Sequence, residues 1–280
     1  MPDILKYVIL GLIQGLAEFL PISSTAHLYI AEQLLGFQST GLAYEILLHI
    51  ATLIAVIWVF RREVWNIILG VFSPKNMPSG DAVAYRKLFL YLIVGAIGTA
   101  ALAFPMRHTR ESLLDLRVGM LVVAGMLLVT AVLNWTSDYL TAKGTRTGMT
   151  EMGFWRALAV GAAQGAAAVL PGISRSGSTI FASLAVGLKR TDAARFSFLL
   201  SIPAIIGAAL DDLPKIKSAL ATGKLPLGDT AVGFVVALVC GVASIVLLLN
   251  LIQRAKLRYF SAWCIFVAAV AIVWWVFNRA

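Results

Sequence analysis

The residues with the clearest chemical potential lie near the N-terminus, in the segment Glu18-Phe-Leu-Pro-Ile-Ser-Ser-Thr-Ala-His27. Ser24 precedes His27 by three residues, which places a hydroxyl and an imidazole on one face of a helix. Such a pair can act as nucleophile and base, or the histidine can itself be the nucleophile. Ser23, Ser24 and Thr25 can equally be N-caps of a helix that begins here. Spacing alone leaves both interpretations open.

A second segment, Pro171-Gly-Ile-Ser-Arg-Ser-Gly-Ser-Thr179, has the composition of an anion site. Backbone N–H groups of a glycine-containing turn, a helix N-terminus and several hydroxyls can surround an anion, and a guanidinium adds bidentate contacts to phosphate. We therefore predict an anion site in this segment, with Arg175 as its phosphate clamp. The alternative is that Arg175 only forms an ion pair that holds the fold together.

Two further pairs of polar residues have helical spacing. Gln14 and Glu18 are four residues apart and share one helix face, as do Glu45 and His49. A carboxylate inside a membrane segment costs about 2.5–3.5 kcal/mol unless it finds a partner or water, so Glu18 is a functional candidate or one member of a helix–helix contact. Glu45 and His49 are expected either to line the same cavity or to form a buried structural pair.

The composition places these residues inside a membrane. The 280 residues are 60% hydrophobic and 13% charged, and the mean hydropathy is +0.87, whereas soluble chains have about 25% charged residues. One helical crossing needs about 20 residues, which leaves little chain for a soluble domain. The net charge of +9 is typical of cationic cytoplasmic loops, and we expect no nucleic-acid partner.

Six apolar runs are predicted to span the bilayer: 42–60, 88–104, 118–133, 195–210, 230–251 and 262–277. Two other stretches, 4–35 and 154–188, are apolar helices interrupted by proline, at Pro21 to Thr25 and at Pro171 to Ser178. A proline break leaves backbone groups unpaired, which membranes tolerate only inside protein or around a water-filled cavity. We interpret both stretches as re-entrant helix hairpins.

The two broken stretches are related to each other. Residues 11–24 (GLIQGLAEFLPISS) align without gaps on residues 161–174 (GAAQGAAAVLPGIS) at an offset of 150. We predict an all-α polytopic membrane protein with an internal repeat: residues 1–135, a linker 136–152, and residues 153–280. Each half is a re-entrant hairpin plus three transmembrane helices, and three crossings invert the second half. Inverted repeats place their site near the midplane, where broken helices meet.

The distribution of cations predicts the orientation. Of the 23 Lys and Arg residues, 14 fall on the face formed by residues 61–87, 135–156, 189–195 and 253–258, against 8 on the other face. The positive-inside rule makes the first face cytoplasmic. Both termini are then expected outside, on the periplasmic side in a Gram-negative cell.

At these two segments the chain resembles the bacitracin-resistance (BacA/UppP-type) undecaprenyl-diphosphate phosphatases, and the stretch Phe196-Ser-Phe-Leu-Leu matches as well. The resemblance covers the whole chain. It implies hydrolysis of a C55 isoprenyl diphosphate to the monophosphate carrier lipid of peptidoglycan synthesis, and hence a role in bacitracin resistance. The enzyme would lie in the inner membrane, with its site facing outward, and use a divalent cation, Mg²⁺ or Ca²⁺.

The resemblance also implies roles for single residues. Gln14 and Glu18 match the acidic helix signature and are the candidate cation ligands. Glu18, Ser24, His27 and Arg175 are the candidate catalytic residues. The candidate phosphate-binding residues are Ser174, Arg175, Ser176 and Thr179, which match the family's phosphate-binding tip, together with Ser23. Gln14 stands where other members have Glu, which leaves one carboxylate fewer for a hard cation. A homodimer is compatible with the sequence, which does not fix the oligomeric state.

Two other classes of protein share sequence features with this chain. Broken helices in inverted repeats are also a transporter architecture, so a transporter or flippase of a phosphorylated lipid or another anion is the main alternative. A carrier needs the phosphate site but no nucleophile. The type-2 phosphatidate phosphatases share Ser-Arg and Ser-x-x-His elements with this chain, but they have a histidine six residues after the arginine, where this chain has Phe181.

Overall fold

A computed structural model describes residues 3–36, 41–114, 118–140, 146–223, 225–254 and 256–278. Its helices, numbered in chain order, are α1 (Asp3–Ala17), α2 (Ser24–Leu35), α3 (Gly41–Val59), α4 (Arg61–Phe72), α5 (Ser79–Ala103), α6 (Thr109–Leu114), α7 (Gly119–Leu140), α8 (Phe154–Val169), α9 (Arg175–Ala185), α10 (Arg190–Asp211), α11 (Leu213–Ala221), α12 (Leu227–Arg254) and α13 (Arg258–Phe277). Within these ranges, β structure is limited to one bridge between Thr147 and Leu188. The prediction of an all-α fold is confirmed.

The membrane-crossing elements agree with the predicted runs. Five helices in the described ranges, α5, α7, α10, α12 and α13, are long and apolar enough to cross a bilayer. The apolar α3 bends by 74° into α4, and this pair is the sixth candidate. Large side chains such as Trp58, Val239 and Phe266 are exposed on the outer faces of these helices. Such faces suit lipid, so the chain is a polytopic membrane protein.

The structure corrects the interpretation of residues 61–87 as a loop. α4 fills the first part of this interval, and α5 begins at Ser79, well before the predicted start at residue 88. The two helices are joined where Arg86 Nε donates to the carbonyl oxygen of Gly70 at 2.8 Å. α4 buries Ile67 and Gly70 and carries its charged residues, Arg61, Arg62 and Glu63, in its first turn. A search for charge-free runs misses amphipathic helices of this kind.

The first helix of each broken stretch lies against a long span from the other half of the sequence. α1 packs on α12, and α8 packs on α5. A Cβ atom on Gly11 would lie 2.3 Å from the carbonyl oxygen of Gly233, and one on Gly161 would lie 2.0 Å from that of Gly95. Backbone therefore meets backbone at both crossings, which only small residues allow.

α7 runs past its predicted end at residue 133 to Leu140, so the segment predicted as a linker, 136–152, begins as helix. Within it, the Asp138 carboxylate accepts hydrogen bonds from Arg190 Nη2 at 3.1 Å and from the backbone N–H of Arg258 at 3.0 Å. This aspartate ties the end of α7 to α10 and α13. Residues 141–145 of the predicted linker lie outside the described ranges.

Candidate active site

The first break is shaped by Ser23. In the described chain Ser23 is the one non-glycine residue with a positive φ, at 70°, a conformation that costs free energy and concentrates at functional sites. Its hydroxyl accepts a hydrogen bond from the Ala26 backbone N–H at 3.3 Å and so caps α2. The predicted capping role is confirmed for Ser23, and its phosphate contact remains a prediction.

Glu18 has several polar contacts at the first break, and only 5% of the residue is exposed. One carboxylate oxygen accepts hydrogen bonds from Ser24 Oγ at 2.6 Å and from Gln14 Nε2 at 3.0 Å. His49 Nε2 lies 3.6 Å from the same oxygen. The other oxygen forms an ion pair with Arg175 of the second break. Because charge and hydrogen bonds surround it, the carboxylate can remain ionised although it is buried.

The second break is built around Ser174. Its hydroxyl accepts from the Gly177 backbone N–H at 3.1 Å and caps α9, and it lies 3.1 Å from the Ser176 hydroxyl. Gly172 just before it has φ +101°, and a Cβ there would lie 2.8 Å from the Val123 carbonyl oxygen. A glycine is therefore required, and α9 begins with its first-turn N–H groups directed toward the break.

The two breaks meet, as their pairing in the sequence led us to expect. Arg175 reaches Glu18, and Ser176 Oγ donates to the carbonyl oxygen of Leu20 at 3.0 Å. A guanidinium, a carboxylate and several hydroxyls thus converge in one place deep in the helix bundle. The alternative role of Arg175, an ion pair between the halves, is present in this structure. It is compatible with phosphate binding, because a phosphate can replace the Glu18 carboxylate as the partner of the guanidinium.

Sequence analysis missed two residues of α7 that support both breaks. Asn134 Nδ2 donates to the carbonyl oxygen of Pro21 at 2.6 Å, and the Thr130 hydroxyl accepts from the backbone N–H of Ser174 at 2.9 Å. Both side chains are almost fully buried. Their spacing of four residues in an apolar span was the available signal, because a buried polar side chain in such a span must have a partner.

His27 does not bond to Ser24 in this structure. Its Nδ1 donates to the carbonyl oxygen of Ser23 at 2.8 Å, and its Nε2 accepts from the indole N–H of Trp263 at 2.9 Å. Since Ser24 donates to Glu18 instead, the nearest base for the serine hydroxyl is a carboxylate. The hypothesis of a directly bonded Ser24–His27 pair is therefore not supported by the geometry, while a catalytic role for each residue stays a prediction.

The remaining candidates are placed as follows. The Thr179 hydroxyl bonds the carbonyl oxygen of Arg175 at 2.8 Å and the hydroxyl of Ser197, so here it links α9 to α10. His49 joins the site through Glu18, and its Nδ1 donates to the carbonyl oxygen of Glu45 at 2.8 Å. Glu45 is half-buried.

The protein offers a partial site for a cation. Within the described residues, no group of three or more His, Cys, Asp and Glu side chains could hold a metal ion. Gln14 Oε1, however, is a buried acceptor without a hydrogen-bond partner, while Nε2 of the same amide faces the Glu18 carboxylate. An amide oxygen and one carboxylate fit Mg²⁺, which keeps several waters and takes substrate phosphates as further ligands.

Fold and site together define an integral membrane protein in which two broken helices bring together a guanidinium, several hydroxyls and a carboxylate–serine pair. The family model of bacitracin resistance protein BacA matches residues 7–270. This chain belongs to that family.

Relatives of full length agree with this assignment. The chain is 37% identical over 276 residues to undecaprenyl-diphosphatase 1 of Shouchella clausii, covering 97% of this chain and 96% of that protein. It is 40% identical over 283 residues to undecaprenyl-diphosphatase of Methanosphaera stadtmanae, covering 98% of each. It is 36% identical over 278 residues to undecaprenyl-diphosphatase of Desulfatibacillum aliphaticivorans, covering 96% of this chain and 98% of that protein.

Proposed function

We propose that this chain hydrolyses undecaprenyl diphosphate to undecaprenyl phosphate and inorganic phosphate. It would thereby recycle the lipid carrier of cell-wall synthesis and confer bacitracin resistance. Family membership and the names of its relatives support the substrate. The observation that carries the proposal is the Glu18–Arg175 contact between the two breaks, with Ser24 hydrogen-bonded to the same carboxylate.

Arg175 supplies the positive charge for the diphosphate. The substrate's phosphate replaces Glu18 as the partner of the guanidinium and can form two parallel hydrogen bonds with it. Hydroxyls of Ser174 and Ser176 and the N-terminus of α9 lie beside this position. They would stabilise the charge that develops on the phosphoryl oxygens as the phosphoanhydride bond breaks.

Release of Arg175 leaves Glu18 free to act as a base. Its carboxylate accepts the proton of Ser24 Oγ as the oxygen attacks the terminal phosphorus, and undecaprenyl phosphate departs as the P–O bond breaks. Water then hydrolyses the phosphoserine and yields inorganic phosphate. Direct attack by water activated at Glu18, or attack by His27, gives the same products, and the geometry favours Ser24.

A divalent cation would be held by Glu18, by Gln14 Oε1 and by oxygens of the diphosphate. When bound, it neutralises negative charge on the phosphates. Gln14 and Glu18 lie four residues apart around the end of α1, and a turn of the Gln14 amide, whose Nε2 donates to Glu18 in this structure, would direct Oε1 to the cation.

The membrane arrangement that we propose is the inverted repeat. The exchange of partners, α1 on α12 and α8 on α5 through glycines at matching positions, supports two halves related by a pseudo-twofold axis. The cation distribution supports a plasma-membrane protein with both termini outside and the site open to the outer surface. A homodimer remains a prediction.

Phosphate release by the detergent-purified protein tests the activity. We expect turnover of undecaprenyl diphosphate that depends on Mg²⁺ or Ca²⁺ and is lost in folded Arg175→Ala and Glu18→Ala, and reduced in His27→Ala. Arg195→Ala, which removes an exposed cation of α10, is the matched control and should keep activity. If no diphosphate is cleaved while lipid binding persists, the hydrolase assignment is wrong and a carrier built on the same broken helices is favoured.

A further inference from the structure

The imidazole of His27 is held by two hydrogen bonds whose directions are fixed by chemistry. The carbonyl oxygen of Ser23 can only accept, so Nδ1, at 2.8 Å, must carry a proton. The indole N–H of Trp263 can only donate, so Nε2, at 2.9 Å, must present its lone pair. Together the two contacts specify a neutral ring with its proton on Nδ1.

Trp263 approaches from α13, at the far end of the sequence. Its ring lies almost parallel to that of His27, with an angle of 8° between the planes and 6.1 Å between the ring centroids. Nevertheless, 47% of Trp263 is exposed. The indole is thus aligned with the imidazole without being locked in a core, so it can leave Nε2 without disrupting the bundle.

His49 provides an internal comparison. Its Nδ1 also donates to a backbone oxygen four residues earlier, that of Glu45, at 2.8 Å. Its Nε2, however, faces the Glu18 carboxylate at 3.6 Å. The two histidines therefore make the same kind of backbone contact through Nδ1 and differ at Nε2. Nε2 of His49 faces the Glu18 carboxylate, and Nε2 of His27 is covered by Trp263.

We propose that Trp263 is a positioning residue for His27. Its indole N–H donates to Nε2, the nitrogen that the Ser23 contact leaves with a lone pair, and so orients the imidazole and covers this nitrogen in the substrate-free protein. The functional meaning of this contact rests on the proposed hydrolysis, whereas the tautomer itself does not. Trp263→Phe keeps the aromatic ring and removes the donor, so it isolates the hydrogen bond from packing.

The test uses the purified full-length protein with ¹⁵N-labelled histidine. Nuclear magnetic resonance distinguishes the two tautomers, and the His27 signal is assigned by its loss in His27→Gln. We expect the Nδ1-protonated form in the wild type and in Trp135→Phe, a control tryptophan that is also 47% exposed. In Trp263→Phe the carbonyl oxygen of Ser23 still holds the proton on Nδ1, so we expect the same tautomer with the Nε2 signal shifted to that of a lone pair without a hydrogen bond. Diethylpyrocarbonate should then modify His27 severalfold faster, with the His49 rate unchanged as internal reference.

Two results would overturn the proposal: an Nε2-protonated His27 in the wild type, or a Trp263→Phe protein that matches Trp135→Phe in both measurements. If Trp263→Phe does not fold, the wild-type spectrum and Trp263→Tyr, which keeps a donor, decide the matter. Failure of the proposed function is seen separately, as absence of phosphate release by the wild type with the His27 tautomer as expected.

Discussion

At the first break, position 18 is a glutamate and position 27 a histidine; 150 residues later, at the second break, the same positions hold Ala168 and Gly177. Both breaks keep a proline and a serine that caps the following helix, but the capping residues, Ser23 with φ 70° and Ser174 with φ −71°, are not at equivalent positions of the repeat. The two breaks thus share a proline and a capping serine, while their backbone geometry and their reactive side chains differ.

The division has a steric reason at one position. A Cβ atom on Gly177 would lie 3.3 Å from Asn134 Oδ1 and 3.2 Å from the Ser174 side chain. A histidine cannot enter there without moving α7, whereas His27 has room beside α13. The second break therefore contributes a cation and hydroxyls, and the first contributes a carboxylate and an imidazole. The two sets of side chains meet where Glu18 contacts Arg175 and Ser176 contacts Leu20.

The largest expected effect comes from removing the charge of Glu18. Glu18→Gln keeps the size and one acceptor but cannot take the proton of Ser24 or balance Arg175. We expect kcat to fall by about 100- to 1,000-fold, the range for loss of one preorganised electrostatic group. Phosphate release from undecaprenyl diphosphate measures this, and Glu63→Gln in α4 is the control. Activity within a few-fold of wild type would show that the first break is not the acid–base side.

Substitutions at the two glycine crossings, Gly11 in α1 and Gly161 in α8, should lower the stability of the protein equally if the two halves are packed alike. Gly11→Ala and Gly161→Ala each force a methyl group into a backbone carbonyl, at 2.3 Å and 2.0 Å, and overpacking costs about 1–3 kcal/mol. Thermal unfolding in detergent should show both variants destabilised. Gly125→Ala in α7, where a Cβ meets nothing within 4 Å, should be neutral or stabilised. If only one of the two variants is destabilised, the two crossings are not packed alike.

The two glutamines distinguish the breaks more finely. Gln14 donates to Glu18 at 3.0 Å, whereas Gln164 donates to Thr99 at 3.0 Å, and both leave a buried Oε1 without a partner. Gln14→Glu adds a second carboxylate beside Glu18. We expect the Mg²⁺ concentration for half-maximal activity to fall by about tenfold, equivalent to about 1.4 kcal/mol. Gln164→Glu, far from a second carboxylate, should leave it unchanged, and equal shifts would exclude Gln14 as a cation ligand.

Much of this arrangement could be predicted from the sequence because membranes leave few choices. A run of apolar residues in a membrane is expected to be helical, and a proline followed by small polar residues is expected to break the helix. The spans and both breaks could therefore be predicted, while the re-entrant path of the broken helices stays a prediction. The duplication in residues 11–24 and 161–174 placed Glu18 near Arg175. Side-chain partners did not follow in this way. Ser24 had two acceptors within reach, His27 and Glu18, and the choice depends on the rotation of α2 about its axis.

Contacts between distant segments were the other limit. Trp263 lies in a run with many aromatic residues, most of them facing lipid, and nothing in its spacing singles out the one that reaches His27. Asn134 did carry a signal, since an amide in an apolar span needs a partner. That partner is the carbonyl oxygen of Pro21. It is available because the helix is broken at this proline, so no backbone N–H of a continuing helix bonds it.

Asn134 provides the closest test of how the first break is supported. Asn134→Ala leaves the Pro21 carbonyl oxygen buried without its 2.6 Å donor, which costs about 1–3 kcal/mol of stability. Because Pro21 lies between Glu18 and Ser24, kcat should fall by more than the loss of stability explains, while the second break keeps its own support from Thr130. Thr136→Ala, on the exposed side of the same helix, controls for the loss of a polar group there. If Asn134→Ala lowers the unfolding temperature in detergent but leaves kcat as in Thr136→Ala, the amide stabilises the bundle without positioning the carboxylate and the serine.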